Sequence, residues 1–375
     1  MKKVIFYAII LLIFSFLTAC RPTIQIDINV EPTPAIGTQP TALPTTPIRE
    51  NTATPGSSLI ESSGRLAFTS NMDGNLAIYT INADGTMLTK LTSDPMLIMH
   101  PTWSSDGRLI AFEACRGGDP STDCPEGESF DIYTINADGS NLINLTQNPA
   151  MDRFPSWSPS GVIAFSSDRS GTDEILVMNS DGTGVEQISN GQTRNYEPKW
   201  SPDGKRLAYH CSDEQSTNIC IQLYGSSEQV IKVTGTSPVW SRLSAAGDYL
   251  LAFHCWSQAY SDICISKPDG TGVLNLTNNT GDDIDPSWSP DGQWIAFQSN
   301  MYNDISIYKV CTTCTESTGF IRLTGDEYDA NWPMWSPDGN WITYLSNNDL
   351  YIMRADGSDQ RLLATDVFGP PTWHQ

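Results

Sequence analysis

Histidine and basic residues are scarce in this sequence of 375 residues. It contains four His, and 21 Lys and Arg stand against 43 Asp and Glu, so the formal net charge is −22. Such a surface repels nucleic-acid phosphates and anionic lipid headgroups, and we expect no nucleic-acid partner. It would tolerate cationic ligands, Ca²⁺ or a basic partner. No motif supports a Ca²⁺ site, so no cofactor and no metal are expected.

Catalytic motifs are also missing. The chain has no G-x-S-x-G nucleophile elbow, no H-E-x-x-H zinc motif and no phosphate-binding loop. Four histidines leave little general-base chemistry. We therefore expect a protein that is not an enzyme. The alternative is an enzyme that uses carboxylates, with Glu197 and Asp285 as the candidate pair.

One pentapeptide is abundant. WSPDG begins at Trp200, Trp288 and Trp335, and the near-copies WSSDG and WSPSG begin at Trp103 and Trp157. Proline presets φ for a type I turn, aspartate bonds back to the backbone, and glycine accepts the positive φ that closes a hairpin. Each copy therefore predicts a hairpin tip between a strand that ends in Trp and an apolar strand such as LIAF or WIAF.

The hairpins recur with a nearly fixed period. The equivalent positions in the apolar strand are Ala67, Ala111, Ala164, Ala208, Ala252, Ala296 and Thr343, spaced by 44, 53, 44, 44, 44 and 47 residues. Each unit reads as four strands: a ends in PxW, b contains IAF, c contains IYxxN, and d ends in LT. Four short strands in about 40–45 residues, repeated, form one blade of a β-propeller. The fold class is therefore all-β, a seven-bladed propeller of four-stranded blades.

The two ends of the repeat predict how the ring closes. The first unit begins at strand b, Arg65 to Ser70, and the chain ends in a spare PxW at Pro371 to Trp373. We expect this C-terminal strand to complete the first blade, which leaves no free sheet edge. The competing candidate for the missing strand is the short segment Leu59-Ile60.

The N-terminus reads as an export signal. Lys2 and Lys3 precede an apolar run from Val4 to Leu17, which is too short for a settled transmembrane helix. The following LTAC resembles a bacterial lipobox, which implies cleavage after residue 19 and lipidation of Cys20; an ordinary signal peptide ending near a cysteine is the alternative. Residues 1–19 are then the signal, 20–63 a Pro/Thr-rich tether, and 64–375 the propeller. We expect an extracytoplasmic protein, lipid-anchored to a bacterial membrane, periplasmic or on the cell surface.

The remaining eight cysteines suit an oxidising compartment. Three pairs share a spacing of nine residues, two cysteines stand in VCTTC, and the predicted disulfides are Cys115–Cys124, Cys211–Cys220, Cys255–Cys264 and Cys311–Cys314. A metal site is the alternative, since His210 and His254 precede two of the cysteines. It is disfavoured because the cysteines fall in separate blades.

The whole pattern, WSPDGxxIAFxS…IYxxNxDG…LT, resembles the TolB-type, WD40-like β-propeller repeat over residues 64–375. The resemblance implies a protein-binding scaffold. It does not imply membership of the Tol–Pal envelope system, because TolB proper joins an α/β domain to its propeller. Here a tether and a lipid anchor take the place of that domain.

The repeats also serve as internal controls for function. Features shared by all blades, including the strand-a Trp residues (103, 157, 200, 240, 288, 335 and 373), are assigned to the core. The d–a and b–c loops vary and lie on one face, so they are the predicted binding surface. Its candidate ligand-binding residues are His100, Phe154, Tyr196, Glu197, Trp256, Asp285 and Trp332.

Two functions follow as expectations. The first is a monomeric, non-catalytic scaffold that binds a protein or a cell-envelope ligand while anchored to the membrane. The second is a propeller hydrolase or lyase that acts on extracellular glycans or peptides. An aromatic, shallow rim would favour the first, and an acid–base or metal constellation at the channel mouth would favour the second.

Overall fold

The computed structural model describes residues 64–374 except 94–95, 117–123, 125–127, 190–192, 214–215, 227–229, 244–246, 258–259, 303, 314–318 and 326–328. These residues form seven four-stranded antiparallel sheets. The signal, the lipidation site Cys20 and the tether predicted for residues 1–63 lie outside the described residues. In the described part of the chain, no helix is long and apolar enough to cross a membrane.

Each sheet is one blade, with strands a, b, c and d in spatial order. Strands a are Val367–Trp373, Met96–Trp103, Asp152–Trp157, Arg194–Trp200, Thr236–Trp240, Asp283–Trp288 and Ala330–Trp335 in blades 1 to 7. Strands b are Arg65–Ser70, Leu109–Arg116, Val162–Ser167, Arg206–Ser212, Leu251–Ser257, Trp294–Ser299 and Trp341–Ser346. Strands c are Ala77–Asn82, Asp131–Asn136, Glu174–Asn179, Thr217–Leu223, Tyr260–Ser266, Ser306–Cys311 and Asp349–Arg354. Strands d are Thr89–Lys90, Ile143–Asn144, Glu186–Gln187, Ile231–Thr234, Leu274–Asn275, Ile321–Arg322 and Arg361–Ala364.

The seven strands a form a closed inner ring. Each one contacts strand a of both neighbouring blades, so these strands surround the axis of the propeller. The predicted closure is confirmed: strand Val367–Trp373 pairs antiparallel with Arg65–Ser70, with Leu66 opposite Trp373. The fold class predicted from the repeat is therefore confirmed.

The WSPDG turns fold as their chemistry predicts. In blade 4 the Ser201 hydroxyl donates to Asp203 Oδ1 at 2.6 Å, and the backbone N–H of Arg206 donates to Ser201 Oγ at 2.9 Å. Gly204 closes the turn with φ +69°. The same Ser–Asp bond recurs in the turns at Ser104, Ser289 and Ser336, so the motif satisfies its own polar groups locally.

The core is layered between blades. A strand-b aromatic stacks on a strand-c tyrosine in four blades, as in Phe68–Tyr79, Phe112–Tyr133, Phe297–Tyr308 and Tyr344–Tyr351. Of the seven strand-a Trp residues, Trp103, Trp200, Trp288, Trp335 and Trp373 are buried. Trp157 and Trp240 are only partly buried, so the assignment to the core is confirmed for five of the seven.

Disulfides replace the aromatic pair in two of the remaining blades. Cys211–Cys220 and Cys255–Cys264 have Cα–Cα separations of 5.7 and 5.8 Å, and Cys220 lies opposite Tyr209 where other blades have tyrosine. Cys115–Cys124 is also formed. Three predicted disulfides are therefore confirmed. Cys311 is disulfide-bonded as well, and its predicted partner, Cys314, lies outside the described residues.

Candidate functional site

Six of the seven inner strands carry the same kink. In blades 2 to 7 a bulge precedes the Trp, and the residue before proline adopts φ between +48° and +55°. Positive φ is uncommon for residues other than glycine, and the extra residue of a bulge re-aims its side chain. These six residues, named here the channel ring, are His100, Phe154, Glu197, Ser237, Asp285 and Trp332.

Blade 1 breaks the pattern. Its bulge is one residue longer and contains Gly369, at φ +73°, followed by two prolines. Five of the seven site residues predicted from sequence belong to the channel ring. Sequence reasoning missed Ser237 and the glycine. The signal was available, because each ring residue directly precedes the proline of a PxW motif.

A second layer of polar residues holds the ring. The residue two positions after the aligned alanine of strand b accepts the backbone N–H of the ring residue in the next blade. The four such pairs are Glu113 with Phe154, Ser166 with Glu197, His210 with Ser237 and His254 with Asp285. From sequence, His210 and His254 were considered only as metal ligands, and Glu113 and Ser166 were assigned no role. Their signal was one polar residue inside an otherwise apolar strand.

Glu113 joins two ring residues. It is fully buried, its Oε1 lies 3.1 Å from His100 Nδ1, and its Oε2 accepts the Phe154 N–H at 2.6 Å. Burial alone would raise the pKa of Glu113, but His100 and Arg153 outweigh it and hold the pKa below its usual value. Burial would likewise lower the pKa of His100, and the Glu113 carboxylate reverses this to a net rise.

The two buried histidines, His210 and His254, are neutral. His210 Nε2 accepts the Ser237 N–H at 2.8 Å, and His254 Nε2 accepts the Asp285 N–H at 2.6 Å. Burial lowers the pKa of both, to about 3 for His254, where His210 adds to the effect. Each ring nitrogen that bonds the backbone must be unprotonated, since a protonated imidazole has no acceptor.

Three titratable ring residues, from alternate blades, interact electrostatically. Glu197 in blade 4 raises the pKa of His100 in blade 2, and it adds to the burial that raises the pKa of Asp285 in blade 6 to about 7. Glu197 Oε2 also lies 3.5 Å from His210 Nε2. These interactions join blades 2, 4 and 6, so His100, Glu197 and Asp285 act on one another electrostatically across the channel.

The predicted aromatic residues occupy different settings. Trp332 belongs to the ring and is half-buried against the core between blades 7 and 1. Tyr196 stacks on His210, with ring centroids 4.7 Å apart. Trp256 is 50% exposed at the end of a strand b and lies outside the ring. The structure therefore brings Tyr196 to the channel and does not unite Trp256 with Trp332.

Among the residues that the structure describes, no group of three or more His, Cys, Asp or Glu is arranged to hold a metal ion. His210 and His254 are instead engaged with backbone N–H groups, and their neighbouring cysteines are in disulfides. The channel ring thus offers two carboxyl groups, one hydroxyl, one histidine and two aromatic rings. It can present negative charge and flat apolar surface to a ligand.

Sequence comparison places the repeat among known proteins. Residues 124–242 match the TolB beta propeller domain family. The Tol-Pal system protein TolB of Desulfosudis oleivorans is 30% identical over 130 residues, covering 32% of this chain and 25% of that protein. TolB of Francisella tularensis subsp. mediasiatica is 27% identical over 232 residues, covering 60% and 52%. The chain thus spans about half, or less, of the length of these relatives.

Structural comparison supports the fold. TolB from Acinetobacter baumannii superposes with a TM-score of 0.50 at 20% identity, covering 84% of this chain and 67% of that one. An oligogalacturonate lyase in complex with manganese gives 0.58 at 14%, covering 81% and 86%. A puromycin-hydrolysing peptidase of Mycobacterium tuberculosis gives 0.60 at 12%, covering 84% and 55%. At these identities the likeness shows the propeller fold alone, which both enzymes and TolB share.

Proposed function

We propose that this TolB-like propeller is a non-catalytic scaffold that binds a protein or a cell-envelope ligand at the channel mouth. The observation that carries the proposal is that the buried histidines and the buried glutamate behind the channel ring are engaged in holding it. His210 and His254 spend their acceptor nitrogens on backbone N–H groups of the next blade. Glu113 is held between His100 and the Phe154 backbone. An imidazole nitrogen that accepts a backbone N–H is not free to take a proton from a substrate while that bond is held.

The ring itself suits recognition. Every blade from 2 to 7 repeats the strained backbone, so the strain belongs to the fold, while the side chain on it differs in each blade. Six different side chains are thereby presented at equivalent positions around one opening. A ligand is then recognised by the combination of the Glu197 and Asp285 carboxyl groups with the Phe154 and Trp332 rings, which is how concave sites obtain specificity.

The test is retention of an envelope partner by the intact chain. Solubilised envelope proteins and glycans would be passed over the immobilised protein, its Glu197→Ala and Phe154→Ala variants, and an Arg108→Ala control. Arg108 lies on a WSSDG tip and its side chain is 85% exposed. We expect both ring variants to lose a partner that the parent and the control retain. Equal retention by all four proteins would contradict binding at the channel mouth.

One observation favours an enzyme as the second candidate. The pKa of Asp285 is raised to about 7 by burial and by Glu197, and a carboxyl group with a raised pKa is the usual general acid in the cleavage of glycans. Incubation with oligosaccharide and peptide panels would test it. Product formation that Asp285→Asn abolishes, in a variant that remains folded, would replace the scaffold proposal.

The extracytoplasmic location is proposed from the disulfides of the propeller and from the sequence of the N-terminal segment. Disulfides between strands b and c are typical of exported proteins. We propose that the chain is lipidated at Cys20, which lies outside the described residues, and that the tether to residue 63 holds the propeller near a bacterial membrane. Cys20→Ala should abolish membrane fractionation and leave the propeller folded. Unchanged membrane association in that variant would contradict the lipid anchor.

A further inference from the structure

The junctions between blades 2 and 3 and between blades 5 and 6 are built alike. In both, a strand-c aspartate accepts an asparagine amide and a threonine hydroxyl from the strand-d end of its own blade. These are Asp131 with Asn144 and Thr146, and Asp262 with Asn275 and Thr277. The chain then enters the next strand a through a short loop, which ends at Asp152 in one junction and at Asp283 in the other.

The two loops share their internal bonds as well. Asn148 donates to Asp152 Oδ2 at 2.6 Å and accepts the Ala150 N–H at 2.8 Å. Asn279 does the same with Asp283 Oδ2, at 2.5 Å, and with the Gly281 N–H, at 2.7 Å. Both aspartates are fully buried. The loops are therefore two copies of one structure within a single molecule.

The two loops differ in one charged residue, which lies beside the buried aspartate. Arg169 places Nη2 3.1 Å from both carboxylate oxygens of Asp152 and bonds Ser167 through Nε. The position equivalent to Arg169, five residues after the aligned alanine, is Met301 in blade 6. Within the described residues no basic side chain replaces the arginine beside Asp283, and Asp283 Oδ1 has no hydrogen-bond partner.

We infer that Asp283 binds a proton in place of the missing arginine, and that this proton secures the loop at 278–283 in mildly acidic medium. The inference concerns this loop alone and does not depend on what the channel mouth binds. The loop has consequences nearby: Asp282 accepts the Ser261 N–H at 3.0 Å, in the hairpin that carries the exposed Trp256 and Tyr260.

The electrostatics agree with the geometry. Burial raises the pKa of Asp283 to about 6, and the negative charge of Asp262 in the preceding blade adds to the rise. The Ser299 and Thr277 hydroxyls and the Asn279 amide oppose it without cancelling it. The adjoining Asp282 is also acidic, and its Oδ2 lies 3.4 Å from the Asn300 amide. A carboxyl with a folded pKa above its unfolded value favours folding most at low pH, and this contribution is lost as the pH rises through about 6.

Hydrogen exchange of the loop amides tests the inference. Gly281 donates its N–H to Asn279 within the loop, and Asp282 donates its N–H to Asn300, just after strand b of blade 6. After correction for intrinsic exchange, we expect their protection to fall about tenfold from pH 5 to pH 7.5, because a proton favours the closed loop. Asp283→Asn should give high protection that does not depend on pH, and Met301→Arg should do the same by copying blade 3.

The reciprocal exchange is the matched control. Arg169→Met should create the same pH dependence at Ala150 and Met151, whose N–H groups are bound by Asn148 and Asp168. Flat protection in the parent from pH 5 to 7.5 would overturn the inference, even if Met301→Arg failed to fold. So would a pH dependence that persists in Asp283→Asn. A rise in protection on adding Na⁺ or K⁺ at pH 7.5 would show that a metal cation, not a proton, fills the site.

Discussion

His254 Nε2 lies 2.6 Å from the backbone nitrogen of Asp285 in the neighbouring blade. This bond fixes a ring residue held at φ +54°, on the strand that forms the channel wall. A buried backbone N–H without an acceptor costs about 1–3 kcal/mol. The histidine is therefore a structural part of the channel mouth.

Replacing His254 tests the hydrogen bond that its Nε2 accepts. His254→Ala should lower the free energy of unfolding by at least about 1–3 kcal/mol, measured by urea denaturation at pH 7.5. His254→Gln is the matched variant, because Gln298 occupies the equivalent position in blade 6 and an amide oxygen can accept the same N–H. We expect it to lose less stability than the alanine variant. Equal losses would mean that packing, not the hydrogen bond, explains the effect.

The same substitution predicts a pH effect. Burial lowers the pKa of His254 to about 3 in the folded protein, against about 6.5 when unfolded. A neutral native histidine stabilises above pH 6.5, and its contribution is lost as the pH falls towards 3. His254→Gln should therefore reduce the loss of stability between pH 6.5 and 4, measured as melting temperature. An unchanged fall in melting temperature between pH 6.5 and 4 would show that other groups cause this loss of stability.

Mutation should affect stability differently at the exposed Trp256 and at the ring residue Trp332. Trp256 is 50% exposed, so Trp256→Ala should leave the melting temperature within about 1–2 °C of the parent. Trp332 packs partly against the core, and Trp332→Ala should cost stability as well as ligand retention. Trp200→Ala is the core control, with an expected loss of about 3–5 kcal/mol. Early melting of Trp256→Ala would assign that side chain to packing.

Ring closure should control global stability. Deleting residues 369–375 removes Trp373, which is 4% exposed, and frees the edge of strand b in blade 1. The loss of Trp373 alone should cost about 3–5 kcal/mol, and the open edge adds an aggregation hazard. Thermal unfolding and light scattering would measure both. A truncated protein as stable and monodisperse as the parent would show that the ring does not depend on this strand.

The disulfide of blade 4 can be replaced by the aromatic pair that blade 7 has at the same place. Cys211→Ser with Cys220→Ser should cost about 2–3 kcal/mol, the loop-entropy value for a closed loop of this size. Cys211→Ser with Cys220→Tyr copies Ser346 and Tyr351 of blade 7, where Tyr344 and Tyr351 stack at 5.5 Å. We expect the second variant to recover part of the loss. If it is no more stable than the first, the aromatic pair does not replace the bond.

Local chemistry made the architecture predictable from sequence. Each SPDG tip satisfies its own polar groups within five residues, as Ser201 and Asp203 do, so the turns do not depend on distant contacts. The fixed spacing of these turns then gave the blade count, and the spare PxW ending at Trp373 gave the closure. The cysteine spacing gave three disulfides for the same reason, because a hairpin joins near neighbours.

The site could be predicted only in part. Its varied loops were visible, and five of seven predicted residues lie in the channel ring, but sequence could not show that Glu113 joins His100 to Phe154. Those contacts link strands from different blades, and their distances depend on how the blades pack.

The sequence by itself determined the repeat, the turns and three disulfides, because each rests on interactions within one hairpin. It also determined the closing strand, because the repeat lacks one strand at its start and has a spare one at its end. Only the tertiary structure decided that Glu197 influences the pKa of both His100 and Asp285, because those residues lie in different blades around one axis. It also decided that the buried Asp152 has a cationic partner, whereas the buried Asp283 has none among the residues that the structure describes. Burial and neighbouring charge depend on packing between blades, which no single repeat contains.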